Sequence, residues 1–207
     1  MTGAITLAID DAAAPAAAAR AVGAGGVIAF PTDTVYGLGC GLWHDMAIAR
    51  LYALKERPDD KALPVLLAEA ADWNRVAGAA SEEARRLMRA FWPGALTIVL
   101  PRRPDVPDAV GPLTTTVALR VPAHTALRHI LARTGPLASS SANRSGGPAL
   151  PDAAAIRGAL GHGFALLLDG GTLPPRPPST VVDATGPAPV ILRHGAVPAD
   201  AITRALM

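Results

Sequence analysis

Three short stretches concentrate the side chains able to do chemistry: "PTDTVYGLG" (31–39), "KERPDDK" (55–61) and "SSSANRSGG" (139–147). In the first, Thr32, Thr34 and Tyr36 offer hydroxyls, and Gly37 and Gly39 allow a ligand to approach the backbone closely. The same residue types also make an ordinary turn. In the second, Lys55, Arg57 and Lys61 put three cations within seven residues, enough to grip a polyphosphate, Arg by its fork and Lys as a point charge. Cations closing a helix C-terminus are the alternative, since the macrodipole favours them there. In the third, small hydroxyl residues and glycines either turn several backbone N–H groups to one point as an anion nest or form a flexible spacer. The segments "TTTVALR" and "STVVD…ILR" add Thr116, Arg120, Ser179 and Arg193. Arg120 lies in an apolar strand pattern, where a partly buried guanidinium needs an anionic partner.

Several chemistries are disfavoured. No G-x-x-x-x-G-K-[ST] phosphate loop occurs, so a bound nucleotide is held another way. "GLGCG" lacks the third glycine of a dinucleotide fingerprint and begins seven residues beyond the nearest strand signal. His44, His124, His129, His162 and His194 stand apart and make none of the usual metal spacings. Cys40, the one cysteine, excludes an intramolecular disulfide and a multi-cysteine zinc site, and points to a reducing, cytoplasmic setting. No apolar run reaches the ~18 residues of a membrane span. "MTGAITLAIDD" has no basic leader and predicts no targeting signal. The net charge of +2 suits local basic sites better than a nucleic-acid coat, and aromatics at 4% leave few base-stacking platforms.

The elements that must position these residues alternate between strand and helix signals, which predicts an α/β or α+β domain rather than an all-helical or all-β one. With 207 residues, 50% of them hydrophobic, one domain is expected. Helices are predicted over 11–23, from Asp45 as N-cap to before Pro58, over "SEEARRLMRAFW" with Ser81 as cap, and in "PDAAAIRGALG" and "ADAITRAL". Strands are predicted at "VIAF", "LPVLLA", "ALTIVL", "TVALRV", "PLAS", "ALLLD", "TVVD" and "VILR". The stretch 31–39 and the residues from Ser139 onward read as loops. Prolines 174, 175, 177 and 178 make a stiff connection before "STVVD".

"PTDTVYGLG", "K-E-R-P", "FWPGALTIVL", "ALRVP", "SSSANRSG", "STVVD" and "ILRHGA" occur together in this order, and with them the chain resembles the YrdC-like family of threonylcarbamoyl-AMP synthases from about Gly25 to Ala196. The resemblance implies a single domain with a twisted mixed sheet and flanking helices around a large concave basic cavity. The second domain that longer relatives append after "ILR" is not expected here. It also implies joining of L-threonine, bicarbonate and ATP into threonylcarbamoyl-AMP with release of pyrophosphate, Mg2+ being carried by the triphosphate. The product serves modification of tRNA position 37 through a separate transferase complex. By the same resemblance Thr34, Arg120, Ser141 and Ser179 contact threonine. Arg57, Lys61, Thr116, Asn143 and Arg193 contact the nucleotide, with Lys55 on a phosphate. Leu66 stands where some relatives have His, Lys61 where some have Asn, and Pro178 where many have Glu. Two alternatives belong to other classes: a non-catalytic module with weak RNA contact, and the carbamoyl-transfer domain of hydrogenase maturation, whose zinc-finger and acylphosphatase-like segments this chain lacks.

Overall fold

Period-two alternation sorts strand side chains onto two faces, and here the helices cover those faces unequally. The computed structural model describes residues 5–58, 60–111 and 114–207. Met1–Ala4 of the N-terminal stretch and Asp59 of "KERPDDK" lie outside them. The described residues form one mixed sheet of ten strands: β1 (Ile5–Ala8), β2 (Ile28–Phe30), β3 (Gly37–Gly41), β4 (Val65–Leu66), β5 (Leu96–Pro101), β6 (Thr116–Arg120), β7 (Leu137–Ser141), β8 (Leu166–Asp169), β9 (Thr180–Asp183) and β10 (Val190–Arg193). Their order is β1-β8-β2-β3-β7-β4-β6-β5-β9-β10. Six α-helices flank the sheet among these residues: α1 (Ala14–Gly23), α2 (Asp45–Lys55), α3 (Glu82–Phe91), α4 (Thr125–Thr134), α5 (Ala153–Leu160) and α6 (Ala199–Leu206).

On one face α1 and α4 bury Ala18, Val22, Leu127 and Ile130 against Ile28, Phe30, Leu137 and Leu168. On the other face α2, α3, α5 and α6 bury Ile48, Leu87, Ile156 and Ile202 against Leu38, Ile98, Leu119 and Val182. No described buried apolar residue of the first face comes from β5, β6, β9 or β10. On those strands alternation turns Thr97, Val99, Thr116, Ala118, Arg120 and Val181 to the first face, beyond the cover of α1 and α4. Polar side chains can stand on that half without being sealed into a core.

The expected α/β architecture is present, with four local corrections. "GLGCG" is a central strand rather than part of a loop, β3 running antiparallel to both β2 and β7. Its glycines admit the Phe30 ring, because a Cβ at Gly37 or Gly39 would lie 2.9 Å from a ring carbon. Ser139–Ser141 likewise complete β7, paired with Gly39, Leu38 and Gly37. The N-cap of α2 is His44, with Asp45 in the first turn, where an acid still complements the dipole. The first helix begins at Ala14 rather than 11, since the Asp11 carboxylate takes the Ala13 N–H at 2.7 Å and forms a turn first. Ser81 caps α3 as expected, accepting the Ala84 N–H at 3.1 Å. Strand β1 and helix α4 are additional to the elements expected from sequence.

Cys40 is fully buried in β3, and burial pushes its thiol up to about 12. Thiolate is the reactive form, so a disulfide reagent is expected to modify native protein at least ~100-fold more slowly than denaturant-unfolded protein. Equal rates in the two states would show that this strand opens readily.

Candidate active site

The turn between β2 and β3 is organised by one hydroxyl. Thr32 Oγ1 accepts the N–H groups of Thr34 (3.0 Å) and Val35 (3.1 Å) and donates to the Val35 carbonyl at 2.7 Å. The ring of bonds leaves the Thr34 hydroxyl 3.0 Å from Arg120 Nη1, at the end of β6. Arg120 is 6% exposed and spends its fork on three different groups. Nε donates to the Gly94 carbonyl at 2.9 Å, Nη1 to Thr34, and Nη2 to Asp33 Oδ1 at 2.7 Å. Burial pulls the Arg120 pKa down from its ordinary value, and the Asp33 carboxylate opposes that shift. Asp33 is therefore the anionic partner that the sequence pattern demanded without identifying. The clue was present as the one acid in "PTDTVYGLG".

Across the site, Ser179 Oγ lies 2.8 Å from Thr97 Oγ1 on β5. Arg193, from β10, donates to the Ser179 carbonyl at 2.8 and 3.2 Å and to its hydroxyl at 3.2 Å. Burial lowers the Arg193 pKa, and the like charge of Arg120 adds to the effect. Arg57, just beyond α2, donates to the carbonyls of Lys61 (3.0 Å) and Ala62 (2.9 Å). Among the described residues neither Arg57 nor Arg193 has a carboxylate partner.

Thr34, Arg57, Arg120, Ser141, Ser179 and Arg193 line one cavity of about 200 Å3. Thr32, Ser139, Ser140, Thr97, Leu66 and Pro178 complete much of its wall. Four of the predicted site residues stand outside the lining. Thr116 starts the strand that Arg120 ends, and Lys61 is exposed four residues beyond Arg57. Asn143 lies two residues past Ser141, its Nδ2 donating to the carbonyls of Arg144 and Gly147 and its buried Oδ1 without a partner. Lys55 is buried beneath the Ser141–Asn143 turn. Tyr36, a candidate hydroxyl in the sequence, is committed elsewhere, donating to the Gly171 carbonyl at 2.7 Å and accepting the Gly170 N–H at 2.9 Å. Among the described residues no three His, Cys, Asp or Glu side chains gather to hold a metal ion.

The family called Sua5/YciO/YrdC, described as "Telomere recombination", is matched over residues 20–195. The chain belongs to this family. Among similar members, the threonylcarbamoyl-AMP synthase of Pseudomonas putida is 39% identical over 171 residues, covering 82% of this chain and 92% of that one. The Bacillus subtilis threonylcarbamoyl-AMP synthase is 39% identical over 176 residues, 83% of this chain and 50% of its own. The crystal structure of Pyrococcus abyssi Sua5 complexed with L-threonine matches with a TM-score of 0.87 at 36% identity, covering 91% of this chain and 56% of that one. The chain thus spans about half the length of the Bacillus and Pyrococcus relatives and nearly all of the Pseudomonas one. No described helix is long and apolar enough to cross a membrane.

Thr97 was not singled out from sequence, although its alternation with core residues in "ALTIVL" places it on the face of Arg120. Thr97→Val is expected to raise the requirement for the small ligand about fivefold, the effect of losing one net hydrogen bond of ~1 kcal/mol to Ser179. Calorimetric titration of Thr97→Val against wild type checks this, and an unchanged affinity would mean Ser179 is held by Arg193 alone.

Proposed function

We propose that the protein is a threonylcarbamoyl-AMP synthase, a nucleotidyltransferase that joins L-threonine, bicarbonate and MgATP and releases pyrophosphate. The observation that carries this reading is the cavity itself. It is hydroxyl-rich, with one guanidinium neutralised by Asp33 and two, Arg57 and Arg193, facing no carboxylate among the described residues. At about 200 Å3 it is smaller than the ~300–1,000 Å3 of sites that enclose larger ligands, so it accommodates an amino acid and leaves most of a nucleotide outside.

In this reading the threonine carboxylate meets the unused N–H groups of Arg120, a charge-assisted bond in a dry site. Thr34, Ser141 and Ser179 present hydroxyls to the amino acid, and Leu66 packs against its methyl group. Bicarbonate, dehydrated to CO2 with loss of water, is captured by the neutral amine as a carbamate with release of the amine proton to solvent, and the carbamate oxygen attacks the α-phosphorus and expels pyrophosphate. Arg57, Lys61 and Arg193 stabilise charge on the phosphates, with magnesium arriving on the triphosphate, and Thr116 and Asn143 flank the nucleotide. A transfer of this kind rests on positioning and electrostatics rather than on a protein nucleophile. The product passes to a separate transferase that modifies tRNA, and action in the cytoplasm fits that role.

Discrimination among amino acids tests the reading. A site that hydrogen-bonds a substrate hydroxyl leaves its own polar groups unpaired when an analogue lacks it. Threonine, and more weakly serine, should drive ATP-dependent pyrophosphate release, with valine and 2-aminobutyrate far behind. Equal release with valine and threonine contradicts the assignment of the pocket.

A further inference from the structure

The K-x-R spacing of Lys55 and Arg57 would let both cations grip one polyphosphate, yet the fold sends them to different places. Helix α2 ends at Lys55, and Glu56 adopts the left-handed region with φ 50°, uncommon for a residue with a side chain. That single residue turns Arg57 into the cavity lining and Lys55 inward, where it is 1% exposed and outside the lining. Lys55 Nζ donates to the carbonyls of Ser141 and Asn143. The Lys55 carbonyl in turn accepts the Ser145 N–H at 2.9 Å, and Glu56 pairs with Arg144. The end of α2 therefore clasps the whole 141–145 turn, and that turn carries the two side chains placed on opposite sides of the reaction, Ser141 toward threonine and Asn143 toward the nucleotide.

We infer that Lys55 is a positioning residue for both substrates, a clasp that sets the Ser141–Asn143 turn, and not a phosphate contact. This rests on the synthase reading above. A buried ammonium must be hydrogen-bonded, and the two carbonyl oxygens engage two of its three N–H donors. Leaving them for a phosphate would strip the Asn143 carbonyl of its donor beneath the turn, while the Ser141 carbonyl would keep the Asn143 N–H at 2.9 Å. Burial, with the nearby Arg57 charge, lowers the Lys55 pKa to about 8, which agrees with a group withdrawn from solvent.

The two roles make opposite predictions for threonine in the absence of ATP. Lys55→Met in the full chain keeps the apolar stem and deletes the donors. Calorimetry should show threonine affinity without nucleotide reduced roughly tenfold or more, alongside a comparable loss for MgATP. Threonine affinity within roughly twofold of wild type overturns the proposal, whatever happens to ATP. Should Lys55→Met fail to fold, the wild-type protein decides, because it contains only the lysines Lys55 and Lys61, one buried and one exposed, whose Nζ signals are expected to separate in 15N-lysine-labelled protein. On titration with MgATP the Lys55 signal should stay in place, and a Lys55 signal that moves with ATP saturation overturns the clasp. Wild-type protein that binds neither threonine nor MgATP overturns the synthase reading itself, and this proposal with it.

Discussion

Arg120→Ala is expected to reduce kcat/KM for threonine by roughly 10–150-fold, the effect of losing a hydrogen bond to a charged group at ~1.5–3 kcal/mol. The loss should appear mainly as a raised threonine KM, with ATP affinity nearly unchanged. A second effect accompanies it. Removing the guanidinium strips Asp33 of its ion-pair partner, 2.7 Å away with both side chains largely buried, and should cost stability of up to about 3 kcal/mol. Arg120→Lys separates these effects, because it keeps a charge beside Asp33 but loses the fork that serves Thr34 and Gly94 at once. It should recover much of the stability and little of the activity. Equal activity for Arg120→Lys and wild type would mean that the fork plays no part in holding the substrate. Adding Asp33→Asn to Arg120→Ala should restore part of the lost stability, since no buried carboxylate is then left uncompensated.

The second large effect concerns the nucleotide. Arg57→Ala should weaken MgATP binding by ~1.5–3 kcal/mol and leave threonine binding without ATP unchanged. Arg57 is well suited to this test because its fold contacts are two carbonyls in an exposed turn, which water can satisfy once the side chain is gone. Thermal melting should move by only a few degrees. Parallel loss of both ligands, or a variant that no longer folds, would make Arg57 a cap for the 57–62 turn instead of a phosphate ligand.

Much of the fold was legible because its elements obey simple patterns. Ser81 with two following acids marks the start of α3, and the apolar runs of β5, β6 and β8 mark their strands. The central strand β3 was hidden because "GLGCG" carries turn-forming residues. It is a strand through its ladders with β2 and β7, and its glycines make room for the Phe30 ring, a partner that only the folded sheet brings over them. Helix α4 was hidden by an unusual start, since its N-cap is His124, whose Nδ1 accepts the Leu127 N–H at 3.3 Å in place of a Ser, Thr, Asp or Asn oxygen. Among site residues, Arg120 drew attention as a cation in an apolar strand, but its partner Asp33 is 87 positions away in the chain and no local spacing connects them. Lys55 and Arg57 read as one cationic cluster, and only the left-handed backbone at Glu56 reveals that they part company.

This cavity is expected to build a mixed anhydride from threonine, bicarbonate and ATP. Purified protein incubated with MgATP, L-threonine and 13C-bicarbonate, followed by mass spectrometry of the nucleotide fraction, tests it most directly. The expected product is threonylcarbamoyl-AMP carrying one 13C in its carbamoyl group, formed together with pyrophosphate and absent when threonine is omitted. Folded protein that yields neither product, or that releases pyrophosphate equally without threonine, would contradict it.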